Sequence, residues 1–447
     1  MTSRYGDSSS GRWVGLLAGH GPAGPYYGGP EQAALVLGPP RCGKTSSYVI
    51  PSVIEAPGAV VSTSTKPDVL SATSALRSRR GVCYVFDPTG AVEVPPWARR
   101  LRWSPVSGCG SFEWAVATAH HLASAARPGS ALSEAAHWVE RAEALLAPLL
   151  HAAAISERNL ADVMRWILGH KLREPANILG DRGREMARIV LAGVIATEDR
   201  ERSGILSTAA GILSAYRSER ALQAACGPNF DPWAFARSED TVYICAPADA
   251  QEQLAPLVVT LIEQIRSAVY SRPAGLAPVV MALDEVAQIA PLPSLPAIAA
   301  EGGGQGLVTL ACLQDLSQAR VRWGAAAEGF FSLFSTKIVF PGIGDRATLE
   351  LVSALGGEAE VTTRSLTRPT WGALLSGHKV GRSITESVVW RRRLPVDEVY
   401  RGKSGHVFLI YAGSPVYTAC ALPWWNVTAW RDVVESSCAG HLSSTAP

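Results

Sequence analysis

The sequence predicts an α/β protein, a doubly wound and mostly parallel sheet interrupted by an inserted all-α domain. Three observations lead there. Short apolar runs such as AALVLG, GAVVSTS and LAPVVMALDE alternate with helix-like segments, the texture of strands buried on both faces. Between residues 111 and 238 the texture changes to Ala, Leu and Glu with apolar residues at helical spacing. The chain has 447 residues, 47% hydrophobic and 18% charged, enough for a sizeable core and more than one domain.

Taken in order, residues 1–28 are rich in Ser, Gly and Pro and are expected to form a flexible tail. The opening MTSRYGDSSS has no apolar core of the kind a signal peptide needs. The segment 29–110 reads as the strand AALVLG, the helix KTSSYVIPSVIEA, and the strands GAVVSTS and GVCYVFDP. Residues 111–238 read as all-α, with helix caps expected at Ser130 or Ser133 and at Ser156. Strands return at TVYICAPA and continue through LAPVVMALDE, GLVTLACLQD, FSTKIVFPG and GHVFLIYAG. Segments 29–110 and 239–432 therefore form one discontinuous α/β domain, and 433–447 is expected to be disordered.

Composition narrows the function. Net charge is only +2, so any basic surface is local. The eight cysteines are scattered without C-x-x-C pairs, which argues for reduced thiols and against a zinc site or disulfide framework. No stretch of 18 consecutive apolar residues occurs, so no transmembrane helix is expected.

The chemistry begins where AALVLG ends. Residues Gly38-Pro39-Pro40-Arg41-Cys42-Gly43-Lys44-Thr45, followed by Ser46, fit G-x-x-x-x-G-K-[ST] between a strand and a helix. Phosphates need donors without bulk, and such a loop wraps them in backbone N–H groups at the positive end of the helix. Lys44 reaches the β- and γ-phosphates of ATP, and the Thr45 hydroxyl takes Mg²⁺. An acidic partner is expected on a neighbouring strand, and APVVMALDE supplies Asp284 for the Mg²⁺ shell and Glu285 to activate the attacking water. The next strand ends in Gln314, a neutral amide placed to sense the γ-phosphate or to position the water. Arg346, with Arg320 and Arg322 as alternatives, is a candidate arginine finger acting on a neighbouring subunit.

Residues 361–403 hold seven Arg and two Lys against three acidic residues. Arg391, Arg392 and Arg393 lie here beside Trp390, as either a nucleic-acid contact or a solvated face.

These segments resemble one family. GPPRCGKTSSYVIPSVIEAPGAVVSTSTKPDVL together with LDEVAQIAPLPSLPAIAAEGGGQGLVTLACLQDLSQ is similar to the type IV secretion coupling proteins, the TraG/TraD-like conjugative DNA-transfer ATPases, here of an actinobacterial type. The segments FSTKIVFPGIGDRATLELVSALGG and RRRLPVDEVYRGKSGHVFLIYAGSPVYTACALPWW agree, as does the return to the sheet around FDPWAFARSEDTVYICAPADAQEQLAPLVVTLI. The resemblance spans most of residues 33–425. It implies a RecA-like P-loop NTPase with an inserted all-α domain, working as a homo-hexamer that hydrolyses ATP with Mg²⁺. It also implies as cargo DNA, single-stranded and relaxase-bound, or secreted proteins, delivered to the type IV secretion and conjugation machinery. Lys66 and Asp68 would lie near the nucleotide or the subunit junction. Family members commonly carry membrane helices, so a cytoplasmic protein, peripheral at the inner face of the cell membrane, is the expectation here. A ring ATPase moving only proteins, and a nucleotide-binding assembly scaffold, are the alternatives.

Overall fold

A computed structural model describes residues 13–126, 133–367, 383–411 and 413–444. The chain opens with β1 (Leu17–Gly21) and β2 (Gly24–Tyr27), then β3 (Ala34–Leu37). A π-helical turn, Thr45–Val49, continues as α1 (Ile50–Glu55). β4 (Val60–Ser64), α2 (Asp68–Arg77), β5 (Cys83–Phe86) and β6 (Ala98–Arg100) complete the first part of the sheet. The helical insertion comprises α3 (Phe112–Ala125), α4 (Ser133–Ile155), α5 (Leu160–Leu168), α6 (Arg173–Asp181), α7 (Glu185–Ile195), α8 (Asp199–Ile212), α9 (Glu219–Ala224) and α10 (Pro232–Phe235). The sheet resumes with β7 (Thr241–Cys245), α11 (Gln251–Tyr270), β8 (Val279–Leu283), α12 (Val286–Ile289), α13 (Leu295–Glu301), β9 (Leu307–Leu313), α14 (Leu316–Trp323), α15 (Phe330–Leu333), β10 (Thr336–Val339) and α16 (Arg346–Leu355). A separate ribbon of β11 (Glu358–Thr367) and β12 (Ser383–Arg392) follows, then α17 (Val396–Arg401), β13 (His406–Tyr411), β14 (Tyr417–Cys420) and α18 (Thr428–Ser444).

The main sheet has the order β2-β1-β14-β13-β10-β3-β9-β8-β4-β7-β5-β6. The run from β10 to β6 is parallel throughout, and the other four strands close one edge antiparallel. Alternate residues feed two cores. Leu35 and Leu37 join the core shared with the helical insertion, whereas Ala34 and Val36 face α1 and α2 on the other side. A parallel sheet covered on both faces is what makes these strands continuously apolar. The insertion is tied to the sheet through α3, which packs against both α4 and α11 and whose Thr118 Oγ1 accepts from the Gln264 side-chain amide at 3.3 Å.

Several expectations need correction. Residues 17–21 and 24–27 of the supposed tail are strands, because β1 pairs with β14 and supplies Leu17 and Ala18 to the core. The segment beyond 433 is helical rather than disordered, because Trp430 and Val434 bury one face of α18. Residues 1–12 and 445–447, and the cap expected at Ser130, lie outside the described residues. Ser156 caps no helix; its hydroxyl returns to Ala152 O at 2.6 Å, and Asn159 with Asp162 forms the capping box of α5. The acidic strand β8 is not beside β3, since β9 lies between them.

Candidate active site

The site forms along the carboxyl ends of β3, β9, β8 and β4, where ligands of open α/β sheets bind. The strand β3 runs into Gly38, whose amide donates to Leu313 O at 3.2 Å. A Cβ on Gly38 would lie 2.6 Å from Cys42 Sγ and 2.8 Å from Phe340 Cβ, so only glycine lets the loop fold back this closely. Two residues of the loop are left-handed, Arg41 with φ +64° and Gly43 with φ +105°. Pro39 and Cys42 are half-buried, while Pro40 and Arg41 are exposed at the tip. Burial pushes the Cys42 thiol up, with Lys44 opposing, so it stays a neutral wall of the loop.

Lys44 is 5% exposed, and its ammonium donates to Gly38 O at 2.6 Å and Pro39 O at 3.1 Å. The Asp284 carboxylate also acts on this buried cation, and an anion in the loop would add to its shell. The Thr45 hydroxyl donates to Asp284 Oδ2 at 2.5 Å, which brings the two expected metal ligands together across 239 residues of chain. Ser46 donates to Gly43 O at 3.3 Å and also faces the cavity.

Asp284 leaves β8 buried, its carbonyl accepting from Thr63 Oγ1 at 2.8 Å. Burial pushes its carboxyl up to about 6; Glu285 adds to the shift, while the Thr45 hydroxyl and Lys44 oppose it. The hydroxyl–carboxylate oxygen pair of Thr45 and Asp284 suits Mg²⁺. Glu285 is left-handed with φ +47°, a strained conformation for a residue with a Cβ, and its carbonyl accepts from Gln288 and Ile289 to start α12. The strain turns its side chain away from the strand and into the cavity.

One cavity of 810 Å³ collects Gly43, Lys44, Thr45, Asp284 and Glu285. Asp68 faces the same space from the start of α2, where its carboxylate accepts from Ser64 Oγ at 2.9 Å and its own helix's Val69 amide. Lys66 is on the adjoining loop but does not line the cavity. Sequence reasoning missed its opposite wall. Trp424, Trp425, Val434, Glu435 and Cys438, from the turn before α18 and from α18 itself, close that side. The paired tryptophans were the available signal.

Other candidates fall elsewhere. Gln314 sits at the end of β9, between the phosphate loop and Asp284, with its backbone N–H donating to Gln318 Oε1 at 2.9 Å; it is half-buried and does not line the cavity. Arg346 heads α16 with its side chain 88% exposed, paired to Glu350 at 2.7 Å. Arg320 lies 3.7 Å from Asp345 and Arg322 donates to Gln288 Oε1 at 3.4 Å, so none of the three arginines lines this chain's own cavity. Arg391, Arg392 and Arg393 are exposed along the end of β12; Arg392 also reaches Ser353 Oγ at 3.2 Å and Arg393 donates to Glu358 O at 3.0 Å.

The strand order around β3, the glycine-lysine loop and the Thr45–Asp284 pair define the RecA-like class of P-loop proteins, here with an all-helical insertion. Within that class the sequence matches the family described as Type IV secretory system Conjugative DNA transfer over residues 11–422, and the chain belongs to that family. Among solved structures it is similar to the bacterial conjugative coupling protein TrwBdeltaN70 in its unbound monoclinic form. The TM-score is 0.65 at 18% identity, covering 88% of this chain and 84% of that one. It is likewise similar to the plasmid coupling protein TrwB in complex with the non-hydrolysable GTP analogue GDPNP (TM-score 0.64, 18% identity, 88% and 86% covered). The form with ADP and Mg²⁺ gives a TM-score of 0.64 at 17% identity, with 88% and 86% covered. No curated protein matches.

Proposed function

We propose that this chain is an ATP-hydrolysing coupling motor that recruits DNA or nucleoprotein and moves it to a type IV secretion or conjugation channel. The observation that carries this reading is the single cavity in which Lys44, Thr45, Asp284 and Glu285 converge. Family membership supports the transfer role, and the TrwB structures solved with ADP and Mg²⁺ and with GDPNP support a nucleotide as ligand.

The residues divide the work. Loop amides from Gly38 to Ser46 bind the phosphates, and Lys44 turns from the loop carbonyls to the β/γ bridge, where charge develops. Thr45 and Asp284 would hold Mg²⁺, which when bound neutralises phosphate charge. Glu285 accepts a proton from water aligned with the γ-phosphorus, and Gln314 orients that water or reports the γ-phosphate to β9. Arg346, exposed and away from this cavity, is offered to the nucleotide of a neighbouring subunit, which calls for a ring, a homo-hexamer in this reading. Arg391, Arg392 and Arg393 supply charge for a nucleic-acid backbone.

Among the described residues no helix is long and apolar enough to cross a membrane. We place the motor in the cytoplasm, docked at the inner face of the membrane through other secretion components. The test is ATPase activity with no DNA, single-stranded DNA or double-stranded DNA, on protein whose oligomeric mass is measured alongside. DNA-stimulated turnover that is abolished by Lys44→Ala is expected. Turnover indifferent to DNA would favour a motor for protein cargo, and nucleotide binding without turnover would favour an assembly scaffold.

A further inference from the structure

Resting on the nucleotide reading of this cavity, we propose that Trp425, braced by Trp424 and backed by α18, is the platform on which the base of a purine nucleotide stacks. The cavity has two chemically different ends. Amides, Lys44 and Thr45 form one, suited to phosphates. Ile50, Ala72, Trp424, Trp425 and Val434 form the other, an apolar surface much larger than phosphate recognition requires.

The two tryptophans differ in what they do. Trp424 is partly buried against the core, and its ring meets Trp425 edge-on, with centroids 5.8 Å apart and planes at 80°. Trp425 is 47% exposed although it lies in a cavity, a large aromatic face with water rather than protein against much of it. An edge-to-face brace leaves such a ring's face free to stack, and purines offer the largest partner.

The platform is rigidly mounted. The Trp430 indole donates to Glu55 Oε1 at 3.0 Å, and Arg79 donates to the carbonyls of Ser436 at 2.9 Å and Ser437 at 3.3 Å. Trp430 and Val434 are buried in the core that also holds α1 and α2. The base-binding wall is therefore contributed by the same chain as the phosphate loop, some 380 residues further along.

The experiment compares magnesium-ATP with magnesium-tripolyphosphate, which has the phosphates and no base, by calorimetry on the full chain and its Trp425→Ala and Trp425→Phe variants. Trp425→Ala is expected to weaken ATP binding roughly tenfold and leave tripolyphosphate unchanged, in the range that alanine replacement of a base-stacking aromatic gives. Trp425→Phe should restore most of the affinity. Loss of both ligands together in Trp425→Ala would mean a structural role, and loss of neither would mean no stacking; either overturns the platform while leaving the phosphate site standing. Wild-type protein that bound neither ligand would instead overturn the nucleotide reading itself.

Discussion

Replacing Glu55 by Gln should uncouple the mounting of α18 from pH. The Glu55 carboxylate accepts from the Tyr27 hydroxyl and from the Trp430 indole, each at 3.0 Å. Both donors favour the ionised form, yet burial outweighs them and pushes the carboxyl from 4.5 up to about 7. Because the folded value is raised, the folded chain holds its proton longer than the unfolded one. Stability is therefore full below pH 4.5, falls as pH rises from 4.5 to about 7, and is constant above. At ~1.4 kcal/mol per tenfold change, the window corresponds to roughly 3 kcal/mol. A glutamine keeps the acceptor oxygen and never ionises. Urea unfolding of both proteins from pH 4.5 to 8 should show the variant gaining roughly 3 kcal/mol over wild type across that window. A difference that stays flat would mean that water reaches the carboxyl and that burial does not govern it.

Further outcomes follow from the same geometry. Lys44→Ala should abolish magnesium-ATP binding, read by calorimetry, because the phosphate charge loses its buried ammonium. Glu285→Gln should leave ATP bound but cut turnover by at least about a hundredfold, the scale of a lost general base; normal turnover would remove Glu285 from that role. Arg77 is fully buried and donates to the carbonyls of Ala56, Gly58 and Glu239 and to the Thr241 hydroxyl. Arg77→Met should strand those acceptors and cost about 3–5 kcal/mol in chemical denaturation. Alanine at Arg391, Arg392 and Arg393 together should weaken DNA binding and lower its salt dependence by up to about three in log–log slope, with DNA-free ATPase unchanged.

The parallel strands were legible because burial on both faces leaves an uninterrupted apolar run, as in Val279–Leu283 and Leu307–Leu313. The phosphate loop was legible because its glycines and lysine are required locally by backbone and charge. What depended on distant partners was not. LAGHG and GPYY, β1 and β2, carry little strand propensity of their own and are strands because β14 arrives beside β1 and β2 pairs on its other edge. The intervening position of β9 has no local signature at all. In α18, Ser, Gly and Cys obscured a helix whose buried Trp430, Val434 and Ser437 nonetheless recur at helical spacing. The ribbon of β11 and β12 was masked by its charge, although TESVVW is rich in β-branched residues. At the site, Lys44, Thr45, Asp284 and Glu285 meet as the motifs require, whereas the tryptophan wall belongs to no motif and becomes visible only in three dimensions.

The placement of β3 between β9 and β10 has a consequence for biosynthesis. Its hydrogen-bonding partners begin at Leu307, about 270 residues after the strand itself ends. At roughly 5–20 residues per second the ribosome needs about 15–50 s to deliver them. During that interval the nascent strand has both edges bare, while the helical insertion, with its local contacts, has already emerged and can fold. The glycine-lysine loop is thus made well before the strands that shape it, and chaperone shielding of β3 in that interval would matter more for yield than for the finished protein.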